Sequence, residues 1–368
     1  MAYGLDVCSA TSEKFYFKLK TTGGTLFRKI NQSSIHSKME YSESQQNAIN
    51  ISSLIEEKIR KNEKFYSFEL NPVKERQDQI YERFFSETKQ CSPLFYTISW
   101  HPNIAGKEHA STDLIKILPN NTLLHLVGRS LNKENLINIL KTALACGKIN
   151  IFALRGGKCI FSLIIPVSYN PRSGLFIKIL SPQTDSGLEN GDFLYAIDLV
   201  KFIRSKFGSK FSICVAGYPQ MHPNSPTKEL DLFYLKEKVN AGANFIITQL
   251  FFDAKVFIDF VKDCRRFKIL VPIIPGIYPI PNFKSLIRMT NMCKLEIPKK
   301  VLDILEPIQD NDEAVAKFGI DLVTNMIKEI FDSNVANGFH LFTFNRSLLA
   351  SEVCSRVGLS VNSETKIS

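Results

Sequence analysis

No apolar run in this chain reaches the roughly 18 residues a membrane-spanning helix needs, so a transmembrane protein is not expected. The N-terminus lacks an apolar signal-peptide core, and Asp6 and Glu13 speak against a transit peptide. The eight cysteines are scattered, with no CxxC pair and no histidine at metal-ligand spacing. They read as reduced, mostly buried thiols of a cytoplasmic protein without a metal site. No GxGxxG follows an early strand, which disfavours a dinucleotide-binding doubly wound sheet. The net charge is +10, yet no basic stripe interleaved with aromatics accompanies it, so a nucleic-acid groove is not expected. The lysines are dispersed and often beside glutamate, as in Lys236-Glu237-Lys238. That pattern suits a general attraction for small anions. No Ser/His/Asp or Cys/His set suggests a nucleophile, and no strong carboxylate pair suggests glycoside cleavage.

What is present is a rhythm. Phe65-Tyr66-Ser67-Phe68-Glu69-Leu70-Asn71-Pro72 reads as a strand buried on both faces that ends on one carboxylate and is stopped by proline. Ile49, Ile51, Leu54, Ile55 and Ile59 mark an amphipathic helix that would close the floor of a barrel. Strands are expected at 65–70, 95–100, 122–127, 149–154, 211–216, 244–249, 270–274 and 338–343. Helices are expected near 77–89, 132–146, 193–206, 229–241, 255–266, 282–292 and 312–332, with a weaker one in 104–118. Alternation on this scale predicts a single TIM (β/α)8 barrel over 46–357. A poorly ordered extension over 1–45 and a tail over 358–368 would flank it.

In such a barrel the C-terminal strand ends converge on one mouth, where catalytic groups are placed. Glu69, Ser99, Trp100, His125, Arg155, Gly156, Tyr218, His222, Gln249, Asn345 and Arg346 would gather there. Taken singly, each has a plainer reading. His125 fits a core histidine, Gln249 a strand-end cap, Tyr218-Pro219 a turn, and Asp231 with Lys238 a solvated helix face. A mouth poor in its own reactive groups points to a cofactor that carries the chemistry.

Several runs resemble the methylenetetrahydrofolate reductase family. They are Ser67-Phe68-Glu69, Thr97-Ile98-Ser99-Trp100-His101-Pro102, Leu123-Leu124-His125, Ala153-Leu154-Arg155-Gly156 and Val215-Ala216-Gly217-Tyr218-Pro219. Ile246-Ile247-Thr248-Gln249-Leu250-Phe251-Phe252 and Phe342-Thr343-Phe344-Asn345-Arg346 continue the series in the same order. The resemblance implies FAD-dependent reduction of 5,10-methylenetetrahydrofolate by NAD(P)H, within one-carbon metabolism, in a cytoplasmic homo-oligomer. It implies that Glu69 is the general acid. FAD would be held by Ser99, Trp100, His125, Arg155, Gly156, Tyr195, Ala196, Tyr218, His222, Asn224, Ser225, Asp231 and Lys238. Gln249, Phe283 and Arg346 would meet the folate. Another flavin-dependent barrel oxidoreductase and a degenerate barrel that only binds flavin or folate are the competing readings.

One departure stands out. The family's Arg-Gly-Asp reads Arg155-Gly156-Gly157, and the next aspartate is Asp185. Between them, residues 157–184 contain no acidic residue, an odd composition for a solvent-facing loop. Gly157-Lys158 and Thr184-Asp185 can be encoded with splice-donor-like and acceptor-like junctions. In-frame removal between them would join Gly156 to an aspartate and restore Arg-Gly-Asp. The segment therefore reads as an atypical insert, with a translated intron as its expected origin and a real insertion, in which Asp185 loops back to the flavin or the site is left defective, as the alternative; the resemblance makes Asp185 the second active-site acid.

Overall fold

The computed structural model describes residues 7–11, 14–21, 24–31, 48–71, 77–99, 115, 118–155 and 191–359. Ahead of the barrel, β1 (Val7–Thr11), β2 (Lys14–Thr21) and β3 (Gly24–Asn31) pair antiparallel as a separate sheet. Sequence analysis expects a poorly ordered extension here. The period-two alternation that suits β2, with Phe15, Phe17 and Leu19 set against Lys14, Lys18 and Lys20, lies within an otherwise aperiodic stretch.

Eight further strands close into a parallel barrel: β4 (Phe65–Leu70), β5 (Phe95–Ser99), β6 (Thr122–Val127), β7 (Asn150–Leu154), β8 (Ser212–Gly217), β9 (Phe245–Leu250), β10 (Ile273–Ile277) and β11 (Gly338–Leu341). They pair in chain order, and β11 returns to β4 with Phe339 opposite Tyr66 and His340 opposite Ser67. The expected TIM barrel is the observed fold. Most strand bounds agree within a residue or two, but β10 begins at Ile273 rather than 270. Pro272 precedes it and cannot donate to the ladder, while Leu270 is 72% exposed.

The described helices are α1 (Ile51–Arg60), α2 (Gln77–Glu87), α3 (Lys133–Ala145), α4 (Ala196–Phe207), α5 (Lys228–Asn240), α6 (Ala254–Arg266), α7 (Phe283–Cys293), α8 (Lys299–Leu305), α9 (Asp312–Asp332) and α10 (Ser347–Arg356). Sequence analysis does not anticipate α8 or α10. The weak helix expected in 104–118 lies almost wholly outside the described residues.

Alternation in the strands divides the core. Outward-facing Tyr66, Phe68, Leu70, Leu124, Leu126 and Ile213 pack against the helices. Inward-facing Phe65, Phe95, Leu123, Phe152, Cys214, Phe245, Ile247 and Ile274 fill the lower barrel together with Ile51 and Ile55 of α1. The Ile51 N–H donates to Asn150 Oδ1 at 2.9 Å and the Ser52 N–H to Ser212 Oγ at 3.3 Å. Asn150 and Ser212 open β7 and β8, so α1 plugs the end where the strands begin, as expected. The opposite end is left for the site. Gly276 shows how tightly the wall closes, because a Cβ there would lie 2.1 Å from the Thr248 carbonyl oxygen.

Candidate active site

Phe65, Ser67 and Glu69 are the inward residues of β4, so the strand carries apolar, hydroxyl and carboxyl side chains in ascending order. Glu69 is 1% exposed, and burial pushes its carboxyl from the usual 4.5 up to about 8. Its Oε1 lies 3.9 Å from His125 Nδ1 of β6, and its Oε2 has no hydrogen-bond partner. The His125 ring meets Phe152 edge-on, with centroids 4.9 Å apart. Glu69 is thus a mostly neutral acid at pH 7 with one oxygen free to engage a bound molecule.

Below it lies a polar layer that sequence reasoning missed. His340 of β11 is fully buried, with Nδ1 2.8 Å from Ser67 Oγ and Nε2 3.5 Å from Thr97 Oγ1. Burial holds its pKa down at about 3, so the imidazole is neutral. The layer places no cation beneath Glu69. A histidine in an apolar run was its only local signal.

The strand end carrying Glu69 is tied across the barrel. Thr343 Oγ1 donates to the Glu69 carbonyl, and Asn345 bonds both the N–H and the C=O of Asn71 at 2.8 Å. Tyr81 of α2 adds a third bond, to the Asn71 carbonyl at 3.0 Å.

On the far side, β7 delivers Arg155. Its guanidinium lies 5.1 Å from the Tyr195 ring centroid, while its Nε is buried without a partner. Tyr195 caps α4, its N–H donating to Asp198 Oδ2 at 2.9 Å, and Ala196 is the first residue of that helix. Past β8, the Tyr218 and His222 rings pack edge-on at 4.5 Å. The His222 N–H donates to Asp231 Oδ2 at 3.1 Å, and the Asn224 N–H donates to His222 Nδ1 at 3.0 Å. The Ser225 hydroxyl donates to the Thr227 carbonyl. Burial lowers the His222 pKa, helped by the positive charges of Lys238, Arg155 and Lys294.

Asp231 and Lys238 are not a solvated pair. Burial raises the Asp231 pKa. Lys238 Nζ donates to the Ala216 carbonyl at 2.9 Å, and burial holds its pKa down at about 8. Gln249, inward on β9, folds its Oε1 back to accept the Leu250 N–H at 2.9 Å. Phe283 opens α7, half-buried against the cluster of Tyr278, Leu286 and Phe342. Arg346 is exposed ahead of α10 and hydrogen-bonds Tyr278. Ser99 ends β5 opposite His125. Trp100, Gly156 and Asp185 lie outside the described residues, as does the 157–184 segment.

The structure therefore gathers an acid, a cluster of cations and unpartnered buried polar atoms around one mouth. The family model described as methylenetetrahydrofolate reductase matches residues 54–161 and 181–358. This chain belongs to the methylenetetrahydrofolate reductase family. The family match leaves 162–180 uncovered, inside the segment of odd composition.

Among curated members of the family, the rice probable methylenetetrahydrofolate reductase (NADH) is 37% identical, over 82% of this chain and 49% of its own. The Caenorhabditis elegans probable methylenetetrahydrofolate reductase (NADPH) is 34% identical, over 83% and 44%. The chain spans about half the length of the curated relatives it matches. A solved Clostridium thermocellum protein, described as binding two copies of 5-methyl-5,6,7,8-tetrahydrofolic acid, shares the fold. Its TM-score is 0.50 and its identity 13%, with 82% of this chain and 99% of that one covered.

Proposed function

We propose that this chain reduces 5,10-methylenetetrahydrofolate to 5-methyltetrahydrofolate with NAD(P)H, using FAD held at the barrel mouth. The observation that carries the reading is Glu69, a fully buried carboxyl at a strand end with its pKa near 8 and one oxygen unpartnered. Bound FAD supplies hydride transfer from the reduced nicotinamide to the folate. The rest falls to the protein. Glu69 is protonated at neutral pH and donates to a nitrogen of the folate's methylene bridge, which opens to an electrophilic iminium. Burial removes the competing water and keeps the proton on the carboxyl until a basic atom arrives.

The residues present fit FAD on three counts. The Arg155 Nε is a buried donor with no partner. Arg155, Lys238 and Lys294 together favour an anionic ligand near His222. Tyr195, 56% exposed, offers an aromatic face at the same rim. Gln249 and Phe283 are assigned to the pterin, and exposed Arg346 to the carboxylates of the folate's glutamate, where a guanidinium fork pairs well. Asp185 is assigned as the second acid.

The test is direct. Protein purified with FAD should be yellow, bleach anaerobically with NADPH or NADH, and regain colour on addition of 5,10-methylenetetrahydrofolate. Colourless protein that takes up no FAD would overturn the reading. Protein that bleaches but ignores the folate would support another flavin-dependent oxidoreductase.

A further inference from the structure

Three donors close to the end of β4 are committed to backbone carbonyls. The Thr343 hydroxyl donates to the Glu69 C=O, and the Tyr81 hydroxyl and Asn345 Nδ2 both donate to the Asn71 C=O. The Asn71 side chain is left out of all three bonds. Asn71 is 7% exposed, and its Oδ1 is buried with no hydrogen-bond partner among the described residues. A buried acceptor without a donor is destabilising and uncommon, and its presence beside a candidate acid points to a donor that arrives with a ligand. The second partnerless oxygen of this strand is Glu69 Oε2, two residues earlier.

Alternation sets both side chains on one face. Phe68 and Leu70 pack outward against the helices, so Ser67, Glu69 and, one step past the strand end, Asn71 face the barrel interior. The strands begin at the end that α1 plugs, which makes Asn71 the nearer of the two to the rim. Two residues of extended chain separate them by about 6.6 Å. Arg346, which stands at the same rim, follows directly on the Asn345 that holds the Asn71 backbone.

We propose that Asn71 is a substrate-binding residue whose side-chain oxygen accepts the N–H of the amide that joins aminobenzoate to glutamate in the folate. The proposal rests on the folate reading above, which sets Glu69 against a nitrogen of the methylene bridge and Arg346 against the glutamate carboxylates. An aminobenzoyl group reaches from its bridge nitrogen across a para-substituted ring to its amide, a span that matches the spacing of Glu69 and Asn71 along β4. The amide nitrogen is one carbon from the glutamate α-carboxylate, so the contacts with Asn71 and Arg346 fall at the same end of the ligand. A neutral N–H also suits a buried neutral acceptor, because no charge has to leave water. With its backbone held by Asn345 and Tyr81, Asn71 offers this oxygen from a fixed position. The bond would lay the aminobenzoyl arm along β4 and keep the bridge nitrogen at Glu69.

The experiment measures, by equilibrium dialysis against the FAD-loaded full chain, the binding of two ligands. One is 5-methyltetrahydrofolate, and the other is its ester analogue, in which oxygen replaces the amide N–H. Wild type should bind the amide about 10-fold more tightly than the ester, the effect of one buried neutral hydrogen bond. Asn71→Leu keeps the approximate shape and removes the acceptor, while the clasp by Asn345 survives because it uses only the Asn71 backbone. This variant should bind amide and ester alike. A retained preference for the amide in Asn71→Leu, whether or not the variant melts lower, would mark Asn71 as structural and overturn the proposal alone. Wild type that does not distinguish the two ligands would overturn it without any variant. Wild type that binds neither would overturn it together with the folate reading.

Discussion

Asn345 clasps Asn71 across the seam between the first and last barrel strands, accepting from its N–H and donating to its C=O, each at 2.8 Å. Asn345 itself adopts φ 58°, a left-handed conformation that asparagine tolerates better than most residues. The clasp fixes the chain two residues beyond the proposed acid, so it links the closure of the barrel to the position of its chemistry. Asn345→Ala removes both bonds and puts a β-carbon into the left-handed region. A loss of about 2–3 kcal/mol and a melting temperature lower by roughly 5 °C are expected. Flavin reduction by NAD(P)H should survive while folate reduction slows. An unchanged melting temperature would show that the clasp contributes nothing.

Glu69 should be required for one half-reaction only. Glu69→Gln keeps the size and removes the transferable proton, so reduction of 5,10-methylenetetrahydrofolate should fall by at least about 100-fold while bleaching by NAD(P)H continues. Undiminished folate reduction in the variant would remove Glu69 from the mechanism.

The same carboxyl makes stability depend on pH. Its pKa rises from 4.5 to about 8 on folding, so between those values the folded chain holds a proton the unfolded chain has lost. Its contribution to stability is complete below pH 4.5 and is lost as pH rises to 8, at up to about 1.4 kcal/mol per pH unit. Denaturant unfolding of wild type and Glu69→Gln at pH 5 and pH 8 isolates this effect. The variant should gain on wild type at the higher pH. A constant difference would mean that the buried carboxyl is already ionised.

Lys238 should matter for flavin retention. It is held near the mouth by the Ala216 carbonyl, with its pKa lowered to about 8. Loss of the cation in Lys238→Ala should weaken FAD binding on the order of 10-fold or more, the equivalent of about 1.4 kcal/mol. Wild-type retention should decline as pH rises through 8 and the ammonium deprotonates. Equal FAD affinity in the variant, measured by fluorescence titration against a Lys236→Ala control, would return Lys238 to a structural role.

The 157–184 segment makes a prediction about the messenger RNA. A family match that skips 162–180 is what an inserted segment of either origin gives, and the aspartate restored by in-frame removal is what singles out a translated intron. A spliced transcript in which Gly156 is followed by an aspartate codon made from the first base of codon 157 and the last two of codon 185 is expected, and its product should show higher folate reduction than the chain carrying the segment. Transcripts that always retain the segment in a fully active enzyme would remove the idea.

The barrel was legible in the sequence because parallel strands buried on both faces read as apolar runs, and the helices between them keep a 3.6-residue period. The run Phe65–Leu70 therefore announced both a strand and a carboxyl at its end, and it is the observed β4 residue for residue. Some of what was missed was local. The alternation of β2 is present in the sequence, and α10 lacks a strong apolar stripe. The remainder was beyond any local pattern. Asn345 with Asn71, His340 with Ser67 and Cys91 with Ser351 are pairs separated by more than 250 positions. The raised pKa of Glu69 also belongs to the closed barrel, because desolvation depends on what surrounds a carboxyl in space and a strand by itself cannot bury it. Composition and periodicity determined the architecture and where an acid would sit; only the packing of distant strands decided that the acid would be neutral and that its strand end would be pinned across the seam.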